Sequence, residues 1–160
     1  MRINKTRATF MLATLILTLS SFGGRNKDYQ TECVSIETDA YITIKIWNAK
    51  KGAKYKLKNA RKDAIHAILF SGVSGENGCT TQPPMINTTE GEGNFKAIEN
   101  QFFSKRGKWT TFTRSAVVAT AMPKTIGTEN WKVYQVSISK KELRKFLEDN
   151  KIIKPLTTGF

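Results

Sequence analysis

Tyr41-Ile42-Thr43-Ile44-Lys45-Ile46-Trp47, and the stretch KYKLKNARKDAIHAILF over residues 54–70, decide the fold between them. In the first, Ile42, Ile44 and Ile46 alternate with Thr43, Lys45 and Trp47. That period of two is the mark of a half-buried strand. In the second, Leu57, Ala60, Ala64, Ala67 and Ile68 recur at helical spacing, while Lys58, Asn59, Lys62 and His66 fall on the opposite face. A helix over 54–70 follows, its small alanines permitting close approach to a sheet. Gly52 breaks the chain between the two elements, and Gly72 is a natural stop for the helix.

Upstream, Tyr29 to Thr38 mixes β-formers with polar residues and reads as a strand, with Thr38-Asp39-Ala40 as a hairpin turn into Tyr41–Trp47. Downstream, residues 71–92 (SGVSGENGCTTQPPMINTTEGE) hold four Gly and two Pro and read as a long loop. Residues 94–104 form the next helix, with Phe95, Ile98 and Phe102 on one face and Phe103 beside them, an aromatic stripe expected in the core. Gly107 ends it. Trp109 to Ala119 is rich in Thr, Val and aromatic residues and reads as a third strand, long enough to bend or bulge. Met122–Asn130 is a loop. Trp131 to Ser139 is the last strand, with Tyr134, Val136 and Ile138 on one face. Ser139-Lys140-Lys141-Glu142 has the form of a capping box. The helix it opens, residues 140–149, turns Leu143, Phe146 and Leu147 inward, and Asn150 closes it.

The order ββααββα predicts an α+β fold: a two-layer sandwich, mostly antiparallel in its sheet, with the helices on one face. At 160 residues and 18.0 kDa, the chain has room for one such domain. Arg2, Lys5 and Arg7 precede an apolar run, Phe10 to Leu19, that is followed by Ser20, Ser21, Gly23 and Gly24. This is the three-part pattern of a signal peptide, and the run is about half the ~20 residues a membrane-spanning helix needs. Residues 1–23 therefore read as the signal and 24–160 as the domain. No permanent membrane span is expected, and the location is exported, either periplasmic or at the cell surface.

Lys plus Arg number 26 and Asp plus Glu 13. Cleavage after residue 23 removes three cations and no carboxylate, which takes the formal charge from +13 to +10. Such a field attracts anionic partners, and export makes nucleic acid the wrong one. An envelope protein or an anionic glycan fits better. Export also places Cys33 and Cys79 in an oxidising compartment, where a count of two allows a single intramolecular disulfide. Its loop of about 45 residues is worth up to ~4 kcal/mol in the chain-entropy account. It would pin the Gly-rich loop around Cys79.

Catalytic constellations are scarce. A Cys nucleophile served by His66 would need a third group to orient the imidazole, and the sequence places none. Glu32, Glu37, Glu90, Glu92 and Glu99 offer carboxylates with no spacing that singles out a pair. Gly72, Gly75 and Gly78 follow a helix instead of joining a strand to one, so they do not form a phosphate loop. One His and two Cys cannot build the common metal centres. No catalytic residue, metal or cofactor is assigned. The remaining candidate is the basic-aromatic turn Lys105-Arg106-Gly107-Lys108-Trp109. Lys105, Arg106, Lys108 and Trp109 together would suit an anionic glycan or lipid, with Trp109 stacking on it. The competing account, which ranks first, is a charged turn leading into a strand whose Trp belongs to the core.

TECV around Cys33, IKIW ending at Trp47, ARKDAIHAILFSG over residues 60–72, GENGCTTQP around Cys79 and the final IIKPLTTGF resemble a family of uncharacterised secreted or periplasmic Bacteroidetes proteins. The resemblance spans nearly all of residues 24–160. It implies location and lineage only, because that family has no established activity. The combined expectation is a non-enzymatic exported domain that binds another cell-envelope component. An anionic glycan- or peptidoglycan-binding domain, a weak hydrolase acting on such a glycan, and a structural subunit of a surface assembly are the alternatives. The exported chain should begin between Ser21 and Gly24, which N-terminal sequencing decides; an intact Met1 in a membrane fraction would make the apolar run an anchor.

Overall fold

The computed structural model describes residues 28–37, 40–75, 78–119 and 131–156. The expected signal peptide, the 122–130 loop and residues 157–160 lie outside them. Four strands form one antiparallel sheet: β1 (Tyr29–Glu37), β2 (Tyr41–Asn48), β3 (Thr113–Ala119) and β4 (Val133–Ser139). The spatial order is β1-β2-β4-β3, so the last strand enters between the second and third. Among the described residues three α-helices accompany it: α1 (Leu57–His66), α2 (Thr89–Phe102) and α3 (Lys140–Asp149). The expected α+β two-layer arrangement is the one observed.

Register explains the layering. Ile42, Ile44 and Ile46 stand opposite Ile138, Val136 and Tyr134 of β4, and Cys33 of β1 stands opposite Ile44. These side chains share one face of the sheet and belong to one buried cluster with Ala60, Ala64, Ile65 and Ile68 of α1, Phe95 and Phe102 of α2, and Leu143 and Leu147 of α3. On the other face Thr43 Oγ1 and Ser137 Oγ share a hydrogen bond of 2.8 Å, and Lys45 Nζ reaches Glu32 at 3.4 Å. Thr43 is nonetheless buried, because β2 is a central strand and its outward side chains are flanked by those of β1 and β4.

α1 is shorter than the predicted 54–70. Gly52–Lys54 forms a separate 3₁₀ turn, and Tyr55 and Lys56 are extended, so regular helix starts at Leu57. Leu57, expected inward, is 39% exposed at that first turn. Beyond His66 the helix widens into a π-turn over Ala67–Ser71. The widening lets the Met85 and Ile86 amides donate to the Ile68 and Leu69 carbonyls at 3.0 and 2.9 Å. The long loop is thus sewn to the end of α1. A two-way bridge between Val73 and Gln82 and the Cys33–Cys79 disulfide fasten it further.

α2 begins at Thr89, five residues before the predicted start. Thr88 Oγ1 accepts from the Gly91 amide at 3.1 Å, and Glu90 and Glu92 complement the positive end of the helix. Two glycines in the first turns hid this start. Gly91 has a packing reason: a Cβ there would lie 2.8 Å from the Ile152 carbonyl oxygen. The segment after α3 crosses at this point, with Ile152 buried, Ile153 half-buried and Leu156 exposed.

The third strand also starts later than expected, because Lys108–Phe112 is a 3₁₀ turn that precedes β3. The capping box at Ser139 does not form. Ser139 is the last residue of β4 and its buried Oγ has no partner. The Ala40 carbonyl instead accepts from the Lys140 and Lys141 amides at 2.8 and 3.3 Å, so the β1–β2 connection caps α3.

Replacing both Cys33 and Cys79 by Ser should lower unfolding free energy by up to ~4 kcal/mol in urea titrations; an unchanged midpoint would show that the loop does not depend on the bond. Gly91→Ala should cost about 1–3 kcal/mol by the same measurement, because its Cβ meets backbone that cannot rotate away.

Candidate functional site

The basic turn lies where α2 ends. Phe103 closes the helix with its amide on the Glu99 carbonyl at 2.9 Å, and the chain doubles back through Ser104–Gly107. Gly107 sits directly on the last turn of α2: a Cβ there would overlap the Phe102 carbonyl, so only glycine lets the strands of the turn close. Trp109 then folds under the turn. It is 1% exposed, and its Nε1–H donates to the Ser104 carbonyl at 2.8 Å. Trp109 is therefore a core residue, as the structural account held, and its face is unavailable for stacking on a ligand.

α1 holds the turn from inside. The Arg61 guanidinium and the Lys62 ammonium lie 5.7 and 5.4 Å from the Trp109 ring, at cation–π distance. Arg61 Nε also donates to Thr113 Oγ1 at 2.7 Å, and Lys62 Nζ donates to the Phe103 carbonyl. Burial, and then the neighbouring Lys58, hold the Lys62 ammonium below its usual value. Sequence periodicity placed Lys62 on the solvent face; its long stem in fact carries the charge back to the turn.

Lys105, Arg106 and Lys108 are exposed. Among the described residues none of the three has a carboxylate partner. Arg106 and Lys108 border a cleft of about 410 Å³. Its apolar wall is Ile98 and Phe102 of α2 and Phe146 of α3, and Gln101, Ser104 and Asn150 supply polar edges. The Phe102 and Phe146 rings stand 5.4 Å apart. The structure thus joins two of the three cations of the candidate surface, Arg106 and Lys108, to a set of apolar residues that sequence reading assigned to the core alone. Ile98 and Phe146 are only half-buried, and that residual exposure forms the cleft floor.

A second polar cluster joins α1 to the sheet edge. Tyr29 Oη lies 2.9 Å from His66 Nδ1 and 3.2 Å from Ser71 Oγ. Tyr55 Oη donates to Asp63 Oδ2 at 2.8 Å, and Tyr134 Oη donates to the Tyr55 carbonyl at 3.0 Å. Sequence reading found no group to orient His66; Tyr29, 37 positions away, meets it. Burial, moderated by Ser71, pushes the Tyr29 hydroxyl up to about 12, and burial also raises the Asp63 carboxyl and the Tyr55 hydroxyl. A hydroxyl that resists ionisation makes a structural donor, not a base.

Both cysteines are consumed by the disulfide, with Sγ–Sγ 2.06 Å, so the Cys–His reading has no thiol. The glutamates do not converge. Glu32 pairs with Lys45 on the outer sheet face, Glu90 and Glu92 start α2, and Glu99 lies a further two turns along it. Among the described residues no group of three His, Cys, Asp or Glu gathers as for a metal, and no helix is long and apolar enough to cross a membrane. Comparison with protein families, curated proteins and solved structures gives no match to this chain.

Because the folded Tyr29 keeps its proton to about pH 12 while an unfolded tyrosine loses it near 10, its contribution to stability is complete below pH ~10 and is lost as pH rises from there towards 12. Ultraviolet titration of phenolate should show this as a late ionisation, beside that of Tyr55, which disappears in Tyr29→Phe. Loss of an ordinary ionisation near pH 10 in that variant would refute the buried hydroxyl.

Proposed function

We propose that this protein is an exported, non-enzymatic domain that binds another component of the cell envelope through the cleft beside Lys105, Arg106 and Lys108. The observation that carries this reading is the rigid basic turn. Three cations in four residues stand without carboxylate partners among the described residues, on a backbone held by Gly107, Trp109, Arg61 and Lys62. A turn fixed in advance loses little freedom when a partner docks.

The simplest alternative role for these cations is to offset the negative end of α2. Several carbonyls at that end already have donors: Glu99 from Phe103, Gln101 from Ser104, Phe103 from Lys62, and Ser104 from Trp109 and Gly107. The outward cations are therefore not needed to satisfy those four. Export is supported by the signal-like residues 1–23, by the resemblance to secreted Bacteroidetes proteins and by a disulfide of the kind that persists in oxidising compartments.

Affinity capture from envelope extracts, with wild type and with Arg106→Glu/Lys108→Glu compared at equal load, tests the reading. A specific component should be retained by the first and lost by the second; retention by both would place the partner elsewhere. His66→Ala should retain the same component. Loss of capture in that variant with an unchanged melting temperature would move the site to the Tyr29–His66–Ser71 cluster and revive the hydrolase alternative.

A further inference from the structure

We propose that the cleft receives an extended peptide segment in which one aromatic or large aliphatic residue is flanked by carboxylates. The inference rests on the partner-site reading above and adds the chemistry of the occupant.

The cleft has two unlike halves. Its floor is apolar, with Phe102 buried and Ile98 and Phe146 half-buried. Its rim is basic, with Arg106 and Lys108 exposed and, among the described residues, without a carboxylate partner. A volume of about 410 Å³ falls in the range of pockets that enclose a substantial apolar group. The occupant therefore needs an apolar anchor and negative charge together. It also needs more than one negative charge, since Lys105, Arg106 and Lys108 put three exposed cations on one turn and a lone carboxylate would leave charge unanswered. Gln101 and Ser104 add side-chain amide and hydroxyl groups at the edge, suited to a peptide backbone passing over the anchor.

Two other anionic surfaces fit less well. An anionic glycan is ordinarily gripped by an exposed aromatic face as well as by charge. The Trp of this turn is 1% exposed, and its ring faces Arg61 and Lys62. An anionic bilayer would take apolar side chains that project beyond the cations. Here the order is reversed: the cations are outermost and the aromatic rings lie at the floor. A flexible segment that lowers one side chain between the cations satisfies this geometry, and the +10 charge of residues 24–160 would speed its encounter.

Fluorescence anisotropy on the full exported chain tests the proposal with labelled peptides. The probes are an acidic peptide with a central Phe, the same peptide with Ser in place of Phe, and the same peptide with its acids changed to amides. The first should bind and weaken as salt rises from ~50 to ~200 mM, as an interaction between exposed charges must. Each control should bind about tenfold more weakly or worse, the loss expected when one half of a two-part recognition is removed. Arg106→Glu/Lys108→Glu alters exposed residues only and should abolish binding with no change in melting temperature. Phe146→Ala should weaken binding without changing its salt dependence. Equal binding of the Ser-substituted or amide peptide overturns the proposal, as does stronger partition onto anionic phospholipid vesicles than onto any peptide. If extract capture depends on Arg106 and Lys108 while no peptide binds, this occupant is wrong and the partner-site reading survives. If capture is insensitive to both cations, the site itself is wrong.

Discussion

Close approach of α1 to the sheet is the constraint on which the rest of the protein depends. Ala60, Ala64 and Ala67 carry no more than a methyl group, and all three are fully buried. The helix can therefore lie low on the isoleucines of β2 and the valine and isoleucine of β4. A larger residue at Ala60 or Ala64 would lift it, and close-packed interiors do not absorb such a change locally. Every contact that α1 makes with its flanks presumes that height.

Those contacts are polar and go in two directions. On one side Arg61 and Lys62 reach under the turn that follows α2 and engage Trp109, Thr113 and the Phe103 carbonyl. On the other, Asp63 meets Tyr55, just before the helix, and His66 meets Tyr29 of the edge strand. One helix thus fixes the backbone that bears Arg106 and Lys108, and also fixes the first strand. The disulfide extends the same arrangement, tying the loop after α1 to the inner face of β1. The inward cations hold the turn that borders the cleft, and the outward ones carry the proposed affinity for an anionic partner.

The ends of the helices show how economically the fold satisfies its backbone. α3 borrows the Ala40 carbonyl for its first amides, and the widened end of α1 gives two carbonyls to Met85 and Ile86. Asn150 closes α3 with its side-chain amide on the Phe146 carbonyl at 2.8 Å. α2 and α3 both end beside the cleft, where the Glu99, Gln101, Phe146, Leu147 and Glu148 carbonyls have backbone donors.

Local periodicity determined the alternation of Ile42, Ile44 and Ile46, the alanine face of α1, the aromatic stripe of α2 and the pairing of the two cysteines. Each is a property of spacing along the chain, or of a count with a single solution. Element ends were less legible because their caps come from afar: nothing near Ser139 indicates that Ala40 caps α3, and the reason for Gly91 is Ile152. The candidate site divides in the same way. Its basic residues were visible as a cluster in sequence. Tertiary structure alone decided that Trp109 faces inward, that Lys62 returns to the turn, and that Ile98 and Phe146 stay half-exposed beside Arg106 and Lys108. Those outcomes depend on which surfaces three helices leave uncovered when they pack on one sheet, and no local pattern encodes that.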